Sequence, residues 1–249
     1  MSGLFSAPAA EALNADRLEP SEETLLQSTL QHLEPFIASK KHEGSNNLLT
    51  WEELYQPLPE EERALLDGVR ALKAEALGAT SHYFGHTDGV SGVVPVGPED
   101  ITRQGVPTRL EPQYLPQPVY TAYTAMMQAM ERDIGKRLFV DSGYRSPAYQ
   151  LYLFLFYLPK HQYSIRETNR HVALPGYSEH GNPDRQAIDF INQAGVNGED
   201  HPEEFEALPE YQWLLQHAPQ FGFHLSYPRD NPHHTAFEPW HWHFERRDR

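Results

Sequence analysis

At 249 residues the chain is long enough to bury a genuine core, as one large domain or two small ones. Its 35 acidic residues against 20 basic ones give a formal charge of -15, which opposes binding to nucleic-acid phosphates and to anionic membranes. There is no cysteine, so disulfides, iron-sulfur clusters, thiolate zinc sites and thiol nucleophiles are excluded, and any metal must bind nitrogen or oxygen.

The opening Met1-Ser2-Gly3-Leu4-Phe5 has neither a basic n-region nor an apolar h-region, and reads as a chain with no secretion signal or with one already removed. Residues 1–20, small and acidic without a period, read as a frayed terminus. From Ser21, the expected cap, Leu25, Leu26, Leu30, Leu33 and Ile37 recur at helical spacing and predict an amphipathic helix. Gly44-Ser45-Asn46-Asn47 breaks it. A second helix is expected from Pro59 to about Leu77, with Leu65, Leu66, Val69 and Leu72 on one face and Gly78 as its stop.

Residues 79–118 are dense in Gly and Pro and predict a long irregular segment draped over a surface. Val119 to Asp133 predicts a helix whose Met126, Met127 and Met130 fill a core, and Arg137 to Asp141 a short strand. An aromatic-rich helix follows over Pro147 to Leu158, and strands over Ala187 to Ile191 and Trp240 to Phe244. The longest apolar run, Leu151 to Leu158, is far short of the ~20 residues a membrane span needs. Helices mixed with short strands imply an α+β fold, a small antiparallel sheet flanked by helices. Residues 1–110 form an N-terminal helical extension with the irregular segment, and 111–249 the domain that carries the chemistry.

Fourteen histidines are many for this length, and His217, His224, His233, His234, His241 and His243 crowd the C-terminal end. A catalytic zinc takes three nitrogen or oxygen ligands and leaves a fourth position to water, a pattern that two histidines and one carboxylate satisfy. Asp189 lies inside the apolar strand Ala187-Ile188-Asp189-Phe190-Ile191. If buried it must be paired or metal-bound; the alternatives are an ion pair with an arginine, or an alternating strand that turns Asp189 to solvent. Glu238 precedes His241 by three residues with Pro239 between, and a bend there lets carboxylate and imidazole face one water; otherwise Glu238 is an ordinary exposed acid.

Five blocks in order, Ser142-Gly143-Tyr144-Arg145-Ser146, Pro175-Gly176-Tyr177-Ser178-Glu179-His180, Ala187-Ile188-Asp189, Phe221-Gly222-Phe223 and Glu238-Pro239-Trp240-His241, resemble VanY-type D-alanyl-D-alanine carboxypeptidases. That family is related to D-Ala-D-Ala dipeptidases, phage endolysins and the hedgehog domain, and the resemblance covers roughly residues 110 to 249. It implies one zinc ion per chain, held by His180, Asp189 and His241, with Glu238 as catalytic base and Arg145 steadying the oxyanion. A guanidinium suits that task because it stays protonated at any working pH. Gln150 matches a substrate-contacting glutamine, Ser178 a serine that orients loop or substrate, and Tyr144, Tyr177 and Trp240 are expected along the cleft.

The resemblance also implies a peptidoglycan stem peptide as substrate and a location in the cell envelope or periplasm. Two rivals stay open beside it: an L-alanyl-D-glutamate endopeptidase, and a non-catalytic module that keeps zinc for structure. The chain departs from the family pattern in two places. The stretch from His180 to Asp189 is longer, with Arg185 where a glycine is usual, and His243 stands two residues after the last ligand in place of an arginine. Because residues two apart on a strand share a face, His243 is either a competing ligand or a support for one. His171, His224, His233 and His234 are expected in loops and on surfaces.

Overall fold

The computed structural model describes residues 13–87, 92–182, 185–231 and 236–245. Three helices lead: α1 (Pro20–His42), α2 (Trp51–Tyr55) and α3 (Glu60–Arg70). Strands β1 (Val93–Val96), β2 (Asp100–Arg103), β3 (Val106–Arg109) and β4 (Gln113–Pro116) come next, then α4 (Gln117–Ile134) and β5 (Leu138–Ser142). After α5 (Pro147–Tyr157) and α6 (Ile165–His171) come β6 (Ala187–Asn192), α7 (Pro202–Glu206), α8 (Pro209–His217), β7 (Phe223–Leu225) and β8 (His241–Phe244). This is the expected mixture of helices with small antiparallel sheets.

Four strands form the sheet that carries the site, in the order β5-β6-β8-β7, every pair antiparallel. Side chains alternate across it. Ile188, Phe190 and Trp242 point to one face, where they pack with Val119, Tyr123, Met126, Met127 and Met130 of α4 and with Leu214 of α8 in one buried cluster. The three methionines are core filler, as their spacing predicts. Asp189, His241 and His243 therefore fall on the opposite face. Register does the rest: Asp189 lies between Ser142 of β5 and His241 of β8, so acid and imidazole are cross-strand neighbours.

A second cluster joins the N-terminal helices to α5. Leu26, Leu33, Leu54 and Leu66 pack with Phe154 and Leu155, all fully buried. Just beyond α1, the Asn47 carbonyl accepts from Ser146 N at 2.9 Å, and its amide donates to Gln113 Oε1 at 3.1 Å. Gln113 Oε1 in turn accepts from Gly143 N at 3.0 Å, so the N-terminal layer holds the turn that follows β5. Leu66→Ala is expected to lower stability by about 2–5 kcal/mol in urea unfolding, the usual cost of a buried leucine. A loss under about 1 kcal/mol, the range of exposed positions, would show that this layer is not part of the cooperative unit.

Several local expectations are corrected. The terminus is not frayed from residue 13 onward: Leu18 is buried, and its N–H donates to Tyr163 O at 3.0 Å. The α1 cap is Glu19, whose N–H donates to Glu22 Oε2 at 2.7 Å, and Ser21 lies inside the helix. α3 stops at Arg70 and a separate short turn over Ala74–Leu77 reaches Gly78, where φ of 82° needs glycine. The segment 79–118 is not wholly irregular, because β1 pairs with β4 and β2 with β3. Met1 to Phe5 and His233 and His234 lie outside the described residues.

Candidate metal centre

His180 arrives on a short 3-10 turn, Glu179–Gly181, that Ser178 opens by accepting the His180 N–H at 3.4 Å. Ser178 thus orients the loop. The imidazole is 1% exposed, and its Nδ1 lies 2.7 Å from the carbonyl oxygen of Gly143. A carbonyl only accepts, so the proton sits on Nδ1 and Nε2 keeps a bare lone pair. That lone pair faces Asp189 Oδ2 at 3.1 Å, with no well-aligned hydrogen-bond partner among the described residues. Gly143 has to be glycine for this turn to close, since a Cβ there would lie 2.4 Å from the Tyr114 carbonyl oxygen.

Asp189 offers its other oxygen to His241, whose Nδ1 is 2.8 Å from Oδ1. Its carboxylate is 19% exposed, so the strand does not turn it to solvent, and its partners are imidazoles rather than an arginine. Burial by itself would raise its pKa, but the two histidines hold it far below the usual carboxylate range. His180 is pushed down to about 4, by burial first and by the Arg145 charge second. His241 goes the other way, up to about 10: burial opposes its charge, and Asp189 and Glu179 overcome that opposition. Two carboxylates thus compete for a positive charge at this imidazole.

The donor atoms of His180, Asp189 and His241 lie within 4.8 Å of one another. Tetrahedral donors at about 2.1 Å from an ion are about 3.4 Å apart, near the 3.1 and 2.8 Å that separate the two imidazole nitrogens from the Asp189 oxygens. A neutral imidazole lone pair set against a carboxylate is repulsive without a cation between them. The residues present therefore fit a divalent metal ion, in chemistry and in spacing.

Glu238 is brought in by a turn over Pro239 and Trp240, closed by His241 N donating to Glu238 O at 3.1 Å. Its backbone N–H donates to Tyr227 O at 3.1 Å, and the Tyr227 ring lies 4.9 Å from that of His241. The carboxylate stands 3.8 Å from His241 Nδ1, the nitrogen that also faces Asp189, and is 25% exposed. It is not an ordinary surface acid. Burial pushes its pKa up to about 7, with Asp189 adding and the His241 and Arg145 charges opposing. Arg145 N donates to His180 O at 3.0 Å, and the charge of its side chain acts on both His180 and Glu238; its Nε is buried without a hydrogen-bond partner among the described residues.

The remaining expected contacts are placed less openly. Gln150 is buried and donates through Nε2 to Ala173 O at 2.7 Å, bracing the loop before Tyr177. Tyr144 is 1% exposed and in this conformation has no surface to offer a substrate. Tyr177 is buried as well, with its ring 5.2 Å from Tyr83, while Trp240 is half-buried. His243 is not among the three clustered donors; its Nδ1 meets Ser226 Oγ at 2.7 Å. His171 and His224 are exposed, as expected, though on the end of α6 and in β7 rather than in loops.

Sequence reasoning missed Glu179, which sits behind His241. Its Oε2 is 3.0 Å from His241 Nε2 and accepts from Ser226 Oγ at 2.6 Å. Burial alone would raise its pKa; the His241 hydrogen bond and charge, with Ser226, bring it down to about 2. Standing beside His180 in sequence, it looks like a surface acid until Ser226 and His241, both distant in sequence, close on it.

The family model for VanY, D-alanyl-D-alanine carboxypeptidase, matches residues 112–247, more than half of the chain. The YodJ protein of Bacillus subtilis (strain 168), provisionally named a carboxypeptidase, is 28% identical over 138 residues, 53% of this chain and 47% of that protein. The chain thus spans about half the length of that curated relative. Among solved structures, the LdcB LD-carboxypeptidase superposes with a TM-score of 0.51 at 23% identity, covering 65% of this chain and 72% of the other, which is a likeness of fold. No described helix is long and apolar enough to cross a membrane. On the family match the chain belongs to the VanY D-alanyl-D-alanine carboxypeptidase family.

Proposed function

We propose that the protein is a zinc-dependent peptidase that hydrolyses peptidoglycan stem peptides, releasing the terminal residue of a D-alanyl-D-alanine end. The observation that carries this reading is the buried Nε2 of His180, left without a proton by the Gly143 carbonyl at Nδ1, converging with His241 Nδ1 on the two oxygens of Asp189. His180, Asp189 and His241 would hold one zinc ion per chain, and their nitrogen and oxygen donors suit that metal. When bound, zinc supplies Lewis acidity and lowers the pKa of water toward about 7.

The chain's own groups divide the remaining work. Glu238 accepts a proton as water oxygen adds to the scissile carbonyl carbon, and returns it to the amine as the carbon–nitrogen bond breaks. Arg145 holds the negative charge that collects on the carbonyl oxygen. No covalent intermediate is needed. Trp240, half-buried beside the centre, lines the approach, whereas Ser178 and Gln150 keep the loop in place. Such a substrate puts the working protein at the cell envelope.

Incubating the zinc-loaded protein with defined pentapeptide muropeptides and weighing the products tests this. Loss of a single alanine, stopped by a chelator and restored by zinc, is expected. A cut between L-alanine and D-glutamate would instead make it an endopeptidase, and stoichiometric zinc without any product would make it a binding module.

A further inference from the structure

We propose that Arg185 is a positioning residue for the metal-ligating face of His241, acting through Glu179. This rests on the zinc reading of His180, Asp189 and His241. A histidine offers a metal one nitrogen, and the hydrogen bond at its other nitrogen decides which one is free and how the ring is turned. In His241 that second nitrogen is Nε2, and its partner is Glu179 Oε2 at 3.0 Å. Whatever holds the Glu179 carboxylate therefore holds the ligand.

Glu179 is 8% exposed, and three groups converge on it. Oε2 accepts from Ser226 Oγ at 2.6 Å as well as facing His241. Oε1 lies 2.9 Å from Arg185 Nε, an ion pair without the alignment of a hydrogen bond. Ser226 Oγ also lies 2.7 Å from His243 Nδ1, which Arg185 Nη2 approaches at 3.5 Å. Arg185 extends past this carboxylate toward Glu245, with Nη1 3.5 Å from Oε1. The guanidinium is thus set between two acids, Glu179 and Glu245.

Removing that charge leaves a buried carboxylate held by the Ser226 hydroxyl and by the imidazole it is meant to orient. Glu179 then gains freedom to rotate out of the His241 plane, and the Nδ1 lone pair loses its aim at the ion. Arg185 is itself 37% exposed, on the loop between His180 and Asp189, so its truncation leaves no cavity in either core. Its effect falls on the ligand geometry rather than on folding.

Zinc affinity of the full chain, measured by competition with a coloured chelator, tests this. Arg185→Gln is expected to weaken zinc by about 10-fold or more, in the range seen when groups behind a ligand are removed. Arg185→Lys, which keeps the charge and loses the planar fork, recovers part of it. Because Arg185 works through Glu179, the double variant Arg185→Gln/Glu179→Gln binds zinc no more weakly than Glu179→Gln alone. Equal affinity of Arg185→Gln and the unmodified chain overturns the proposal, as does a double variant whose losses simply add. If the unmodified chain takes up no zinc at all, the metal reading falls and this inference falls with it, a result distinguishable from the other two.

Discussion

Glu238→Gln is expected to retain zinc while slowing stem-peptide cleavage by about 10²–10⁴-fold, the contribution of a positioned general base. The geometry separates two acids of the same centre. Asp189 has both oxygens engaged by imidazoles at 2.8 and 3.1 Å and is held strongly ionised, as a ligand must be. Glu238 stands 3.8 Å from the nearest imidazole nitrogen, too far for a hydrogen bond, and its pKa is raised to about 7 chiefly by burial. Positive charge added at the triad draws that value down from there, leaving the carboxylate ionised and uncommitted near neutral pH. Glutamine keeps its size and cannot take a proton. Unaltered cleavage by a zinc-loaded Glu238→Gln variant would remove it from the chemistry.

Asp189→Asn is the second large effect, and it falls on the metal. The amide keeps the shape but carries no charge, so the site loses its only anionic donor. Since losing a group behind a ligand costs about 10–100-fold in metal affinity, losing a donor itself is expected to cost at least about 100-fold. The readout need not be activity. Zinc at about 100 times its Kd should stabilise the unmodified chain by about 2.7 kcal/mol, seen as a higher melting temperature. The Asp189→Asn variant should show almost none of that shift, and an equal shift in both would place the ion elsewhere.

Much of the catalytic half was legible because its signals are local. An acid flanked by Ile188 and Phe190 stands out in any strand, and period-2 alternation then sets Asp189 and His241 on the face opposite the α4 core. The proline turn before His241 was legible for the same reason. Other features lie in contacts between distant segments. β1 to β4 are strands of four residues each, with Pro95, Pro107 and Pro116 among them, and too short to show a period. Leu18 is buried only because α5 and the residues after it are there to receive it. Glu179 has no pattern of its own, since its meaning depends on Ser226 and His241, 47 and 62 positions away.

The N-terminal layer shows how such contacts reach the chemistry. Asn47, Gln113 and Gly143 form a relay of backbone and amide hydrogen bonds, and the Gly143 carbonyl at its end fixes the proton on His180 Nδ1. The tautomer of His180 is therefore set by a turn that a segment far upstream holds in place.

Anomalous X-ray scattering from zinc-soaked crystals, collected on both sides of the zinc absorption edge, addresses the centre most directly. One peak per chain is expected, bounded by His180 Nε2, Asp189 and His241 Nδ1 and facing Glu238. A crystal whose zinc signal lies away from these three side chains, or in which the imidazoles turn away from the carboxylate, would contradict the account.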